Sequence, residues 1–202
     1  MLGCVSGFAV NSLAQKMDSR NVVSVSAGLN LFQNFGLVSS YDELNTVNLQ
    51  IKATPAYGFT YDYRVTNWLS LGVAGAYNRF RFKADQIVVP RETISTYVGT
   101  IDLNMARISI GMRPLIHYGH LRRVDMYSGL RLGVNIWKTS LESNGDLLPG
   151  EVDRFLHDDS VTANFQIIPF GMRYAVIKRL GIGFETGLGA PHYAALQISY
   201  RM

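Results

Sequence analysis

The run Leu49-Gln50-Ile51-Lys52-Ala53-Thr54-Pro55-Ala56-Tyr57-Gly58-Phe59-Thr60-Tyr61-Asp62-Tyr63-Arg64-Val65 decides the fold. Its odd positions are apolar or aromatic throughout, and its even positions are polar or small. A period of two sends alternate side chains to opposite faces of an extended strand, and no helix generates it. The run is much longer than the roughly 5–6 residues of an ordinary strand. It is long enough to cross a bilayer, which takes about 9–11 residues of tilted strand.

The same alternation recurs along the chain. Val23, Val25, Ala27, Leu29 and Leu31 alternate with Ser24, Ser26, Gly28 and Asn30; Leu69, Leu71 and Val73 with Ser70, Gly72 and Ala74. Ile108, Ile110 and Met112 are interleaved with Arg107, Ser109, Gly111 and Arg113. Further runs lie at Val124–Lys138, Leu180–Gly189 and Tyr193–Met202. Between Phe165 and Tyr174 the parity changes, which predicts a β-bulge near Ile168-Pro169. Pro55 and Pro114 predict bulges or ladder breaks too, because proline donates nothing to a ladder.

The totals agree with a membrane-spanning sheet. The chain has 202 residues, enough for one domain. Charged residues make up 17%, against about 25% in soluble proteins. Gly (19), Tyr (11) and Phe (10) are frequent, a composition suited to strands and tight turns. No apolar stretch is long enough for a membrane-spanning helix. The net charge of +4 is scattered along the chain, which argues against a nucleic-acid partner.

The expected fold is all-β: an eight-stranded antiparallel up-and-down transmembrane β-barrel over residues 20–202. Long polar connections at Gln33–Asn48, Lys83–Thr100 and Thr139–Ser160 alternate with short links at Thr66-Asn67, His117–Arg123 and Ile177–Arg179. Long outer loops and short periplasmic turns are typical of outer-membrane barrels. Lipid satisfies no backbone polar group, so the sheet closes, with its apolar parity toward lipid and its polar parity toward the lumen. That assigns Lys52, Asp62, Arg64, Arg113, Asp125, Arg131, Glu185 and Arg201 to a lumen charge network. Tyr61, Tyr63, Tyr118, Tyr174 and Tyr200 form an aromatic girdle at the periplasmic interface, with Tyr77, Trp137, Phe165 and Tyr193 near the outer one. A soluble up-and-down barrel would share the period but reverse the faces.

Residues 1–14 carry no charge and, with Ser12-Leu13-Ala14 at their end, read as a signal peptide without its basic start. Cys4 is the only cysteine, so no intrachain disulfide is expected. His157-Asp158-Asp159-Ser160 is the best local candidate for chemistry, but it reads as a solvated polar loop. His117 and His120 read as part of a solvated turn, and His192 as a residue of the shortest outer link with no visible base partner. No catalytic residue, metal site or cofactor is expected.

The runs Pro55-Ala56-Tyr57-Gly58, Asp62-Tyr63, Asp125-Met126-Tyr127-Ser128-Gly129-Leu130-Arg131-Leu132-Gly133 and Pro169-Phe170-Gly171-Met172-Arg173-Tyr174 resemble the porin-like outer-membrane β-barrel proteins of Bacteroidetes. Glu185-Thr186-Gly187-Leu188-Gly189 and the closing Ile198-Ser199-Tyr200-Arg201-Met202 fit the same family, although its last strand usually ends in Phe. The architecture is similar to OmpX-, OmpA- and OmpW-type barrels. The resemblance implies a bacterial outer membrane, with outer-membrane lipid, lipopolysaccharide and the barrel-assembly machinery as partners. It supplies no catalytic set. The expected function is structural or weakly transporting. The alternatives are an interaction protein binding an extracellular ligand through its loops, or a lipid-modifying enzyme.

Overall fold

The computed structural model describes residues 20–30, 49–85, 100–121, 123–144 and 160–202. Their strands are β1 (Asn21–Leu29), β2 (Leu49–Ala53), β3 (Ala56–Arg64), β4 (Leu69–Asp85), β5 (Thr100–Leu121), β6 (Val124–Asn144), β7 (Val161–Ala175), β8 (Leu180–Gly189) and β9 (Ala194–Arg201). All pairings are antiparallel. β1 pairs with β3 and β9, and the ladder runs from β3 through β4 to β9, so the sheet closes. β2 continues β3 along the outer half of β4, and the two form one stave of an eight-stranded barrel.

The two faces separate by chemistry in the order a membrane demands. Leu196 is 69% exposed and Met112 63%, whereas Arg113 is 1% and Asp62 2%. That excludes the soluble barrel, whose faces would be reversed. On the outer face lie Val25, Phe59, Leu71, Val73, Ile110, Leu132, Ile182 and Ile198, all exposed. Tyr63, Tyr118, Tyr174 and Tyr200 are exposed at the short-turn end, and half-buried Tyr61 donates its hydroxyl to Asn21 Oδ1 at 2.8 Å.

The bulges at Pro55 and Pro169 are present. Ile167 to Phe170 on β7 takes three steps against two on β8, from Leu188 to Thr186. The inward set therefore changes from Asn164, Gln166 and Ile168 to Gly171 and Arg173. Ser128 Oγ donates to the carbonyl of Pro169 at 2.6 Å, which secures the bend. At Pro55, Ala53 pairs with Phe80 and Tyr57 with Tyr77, so four steps oppose three. Thr54 bridges the gap: its N–H donates to Arg79 O, and its Oγ1 accepts from Arg79 N, each at 2.9 Å. Pro114 breaks the β5–β6 ladder without shifting it: Met112 pairs with Leu132, and pairing resumes at Leu115 and Gly129.

The Pro55 bulge overturns one assignment. Lys52 is exposed and pairs in register with Arg81, so it stands on the outer face and not in the lumen. The extra residue reverses the parity on which its placement rested. Strand lengths differ as well. β5 runs through His117 to Leu121, so most of the expected His117–Arg123 link belongs to the strand. β4, β5 and β6 span 17, 22 and 21 residues, well beyond the length a bilayer needs.

Beyond the apolar belt these long strands exchange faces. Phe80 and Phe82 are buried inside β4, while Arg79, Arg81 and Lys83 are exposed outside it. On β6, Lys138, Ser140 and Glu142 are exposed. A barrel wall with an apolar interior and a charged exterior is what water, not lipid, selects.

Candidate functional site

Three layers of polar side chains fill the lumen. The middle layer centres on Glu185 of β8, which collects donors from three elements on two oxygens. Its Oε2 accepts from Arg113 Nη2 at 2.6 Å and from the Tyr127 hydroxyl at 3.0 Å. Its Oε1 lies 3.3 Å from both Arg131 Nη2 and His192 Nε2. Asp62 accepts from Arg173 Nη2 at 2.5 Å and lies 3.4 Å from Arg113 Nε. The Arg173 and Arg113 guanidiniums sit 4.6 and 5.8 Å from the Tyr127 ring centroid, a cation–π arrangement. Gln197 donates to the Tyr127 hydroxyl at 2.7 Å. Gly171 faces Tyr127 across the strands, and a Cβ there would collide with the ring.

The layer toward the short turns joins Arg64, Asp125, His117 and Ser70. Arg64 Nη2 donates to Asp125 Oδ1 at 2.9 Å, and His117 Nδ1 lies 2.8 Å from the same oxygen. Ser70 Oγ is 2.8 Å from His117 Nε2. Serine, histidine and carboxylate thus stand in the order of a hydrolytic triad. One feature opposes that chemistry: Ser70 is 2% exposed and sealed from substrate. Arg64 Nη2 also approaches His117 Nδ1 at 2.8 Å, so a cation shares the nitrogen that faces Asp125.

The outer layer is built on Arg107. Its Nε donates to Asn78 Oδ1 and its Nη2 to Pro191 O, both at 3.0 Å. The guanidinium lies 5.3 Å from the Trp137 ring and 5.6 Å from Phe80. Between the layers the lumen keeps a cavity of about 10 Å³ lined by Arg113, Arg131, Glu185 and His192. That is about the smallest space that holds one water.

Seven of the eight expected lumen charges face inward: Asp62, Arg64, Arg113, Asp125, Arg131, Glu185 and Arg201. Asp62, Arg113, Arg131 and Glu185 share one network, while Arg64 and Asp125 share another. Arg201 is buried on the same face. Arg173 escaped the sequence reading because the Pro169 bulge changes its parity, although the broken alternation marked the spot. His117 and His192 were expected in solvated links and are instead 3% exposed inside the barrel. Tyr127 shares the parity of Asp125 and Arg131, a signal available in sequence. Trp137 belongs to the lumen, not the outer girdle, since it stacks with inward Phe80 at 6.1 Å. His157-Asp158-Asp159 and the signal-like residues 1–14 lie outside the described residues, and Ser160 is exposed. Among the described residues, no group of three or more His, Cys, Asp or Glu side chains gathers to hold a metal ion.

No protein-family model matches the chain, and no curated protein matches it in sequence. Among solved structures it is similar to Ail, the attachment invasion locus protein of Yersinia pestis, in complex with the heparin analogue sucrose octasulfate. That likeness has 13% identity and a TM-score of 0.43, over 91% of this chain and 99% of Ail. It is also similar to the outer membrane protein OprG from Pseudomonas aeruginosa, at 9% identity and a TM-score of 0.40 over 90% of each chain. Neisserial surface protein A is 14% identical, with a TM-score of 0.37 over 91% of this chain and 98% of that one.

Proposed function

We propose that the chain is a small bacterial outer-membrane barrel, structural and not conducting, with its lumen stoppered by charge. One observation carries this reading: exposed aliphatic side chains surround a belt whose interior holds Arg113, Arg131, Arg173, Asp62 and Glu185 at 4% exposure or less. A belt of that kind is stable in lipid, since placing Arg or Lys on the lipid face at mid-bilayer costs about 2–4 kcal/mol each. An eight-stranded interior is only wide enough to be filled by side chains. The motif resemblance to porin-like barrels of Bacteroidetes supports the same membrane. The reading assigns no catalysis, because the sealed Ser70–His117–Asp125 chain offers substrate no approach.

The test uses refolded chain in detergent and lipid. Unboiled and boiled samples are expected to migrate differently on a denaturing gel, and the folded chain is expected to fractionate with outer membranes. Identical migration would sink the barrel reading; recovery in the soluble fraction would sink the location.

The extension of β4, β5 and β6 beyond the apolar belt favours a second role, holding the outer loops clear of the membrane for an external partner. Deleting residues 86–99 should then abolish surface binding while leaving the gel shift intact.

A further inference from the structure

Resting on the outer-membrane reading, we infer that the outward face of β2, β4 and β6, just beyond the apolar belt, docks phosphate-bearing glycolipid headgroups of the outer leaflet. Lys52, Arg79, Arg81, Lys83 and Lys138 are all exposed there. Arg79 follows the exposed belt residue Tyr77 by two positions on the same face of β4, so the cations begin where the lipid-facing aromatics end. Cross-strand register places Lys52 beside Arg81 and, through Ala106 of β5, Arg79 in one row with Lys138.

Among the described side chains, two acids share this face, Asp102 and Glu142. Asp102 is taken by Arg81, and that hydrogen bond holds its carboxyl below the usual range, with Lys83 adding to the effect. Among the described residues, the side chains of Lys52, Arg79 and Lys138 have no ion-pair partner. At the described outer ends of β7, β8, β9 and β1, Val161, Ala163, Leu188, Leu196, Ala27 and Leu29 point outward without charge.

A cationic strip at this height faces sideways into the headgroup layer. Its partner must therefore be anionic and held at the membrane surface, which phosphorylated lipid satisfies and a soluble protein approaching the loops does not. Arginine forks suit phosphate oxygens, and lysines add charge along the strip.

The probe is diphosphorylated lipid A, compared with its dephosphorylated form, binding to refolded full chain in micelles. The combined variant Lys52→Gln, Arg79→Gln, Arg81→Gln and Lys138→Gln is expected to bind the phosphorylated lipid at least about tenfold more weakly, with binding of the dephosphorylated form unchanged. Asp102→Asn alone should tighten binding, because it frees Arg81. Lys178→Gln with Arg179→Gln, at the opposite end, should change nothing. A combined variant that keeps its folded gel shift and full affinity overturns the proposal alone, as does Asp102→Asn without effect. A natural chain lacking the gel shift overturns the barrel reading and the proposal with it.

Discussion

Glu185 is the residue on which most of the buried charge converges, and Arg113 ties it to Asp62. Desolvating these ions is costly, and their attraction offsets the cost only while each keeps its partners. Glu185→Ala would leave Arg113 and Arg131 facing one another without the carboxylate between them. The expected loss is about 3–5 kcal/mol of unfolding free energy, read from the urea midpoint in micelles by tryptophan fluorescence. Lys52→Ala should stay within about 0.5 kcal/mol, as for an ordinary surface change. Equal effects at the two sites would mean that the lumen network does not stabilise the barrel. Tyr127→Phe is a finer probe. It removes the hydroxyl between Glu185 and Gln197 and should cost about 1–3 kcal/mol in the same assay. A neutral result would assign Tyr127 a packing role through its two guanidinium contacts.

At the scale of the strand, bulges decide which side chain meets which solvent. Deleting Pro169 would leave two steps from Ile167 to Phe170 against two from Leu188 to Thr186, a regular ladder in which Arg173 keeps its inward face. That deletion, like Pro169→Ala, is therefore expected to fold and keep its gel shift. Deleting Met172, where the ladder is already regular, would instead turn Arg173 toward lipid, at about 2–4 kcal/mol, with Asp62 losing its partner, and is expected to abolish the shift. A Pro169 deletion that loses the shift would show that β7 requires the bulge itself and not only the inward facing of Arg173. The same devices set how much was legible in the sequence. Where alternation was unbroken, as in Tyr57–Arg64, parity placed every charge; in Ala106–Arg113 it placed Arg113, while Arg107, on the same parity and buried in the lumen, was left out of the expected network. Lys52 and Arg173 were misplaced or missed because each lies past a bulge, and one added residue reverses a face. The Pro169 bulge could be foreseen from its broken parity. At Pro55 the pattern hides the bulge, since apolar odd residues continue across it while the surroundings change from lipid to water. His192 was illegible for another reason: its partner Glu185 is brought to it by the fold, and no local spacing announces that contact.

For the whole molecule, barrel closure makes a wall, but the side chains inside decide whether it is a channel. Arg113, Arg131, Arg173, Tyr127 and Glu185 occupy the mid-height cross-section, and the cavity of about 10 Å³ beside them admits no hydrated ion. Planar bilayers holding the natural chain should therefore show no steady conductance. Replacing Arg113, Tyr127 and Glu185 together by serine would remove two large side chains and one balanced charge pair. It should open a water-filled path through an otherwise unchanged wall, seen as discrete current steps. Arg131→Ser with Glu185→Ser, also charge-balanced, serves if the triple variant loses its gel shift. Steady steps from the natural chain would refute the stopper. Silence from a folded triple variant would place the barrier elsewhere, in the outer layer where Arg107 stacks on Trp137 and Phe80.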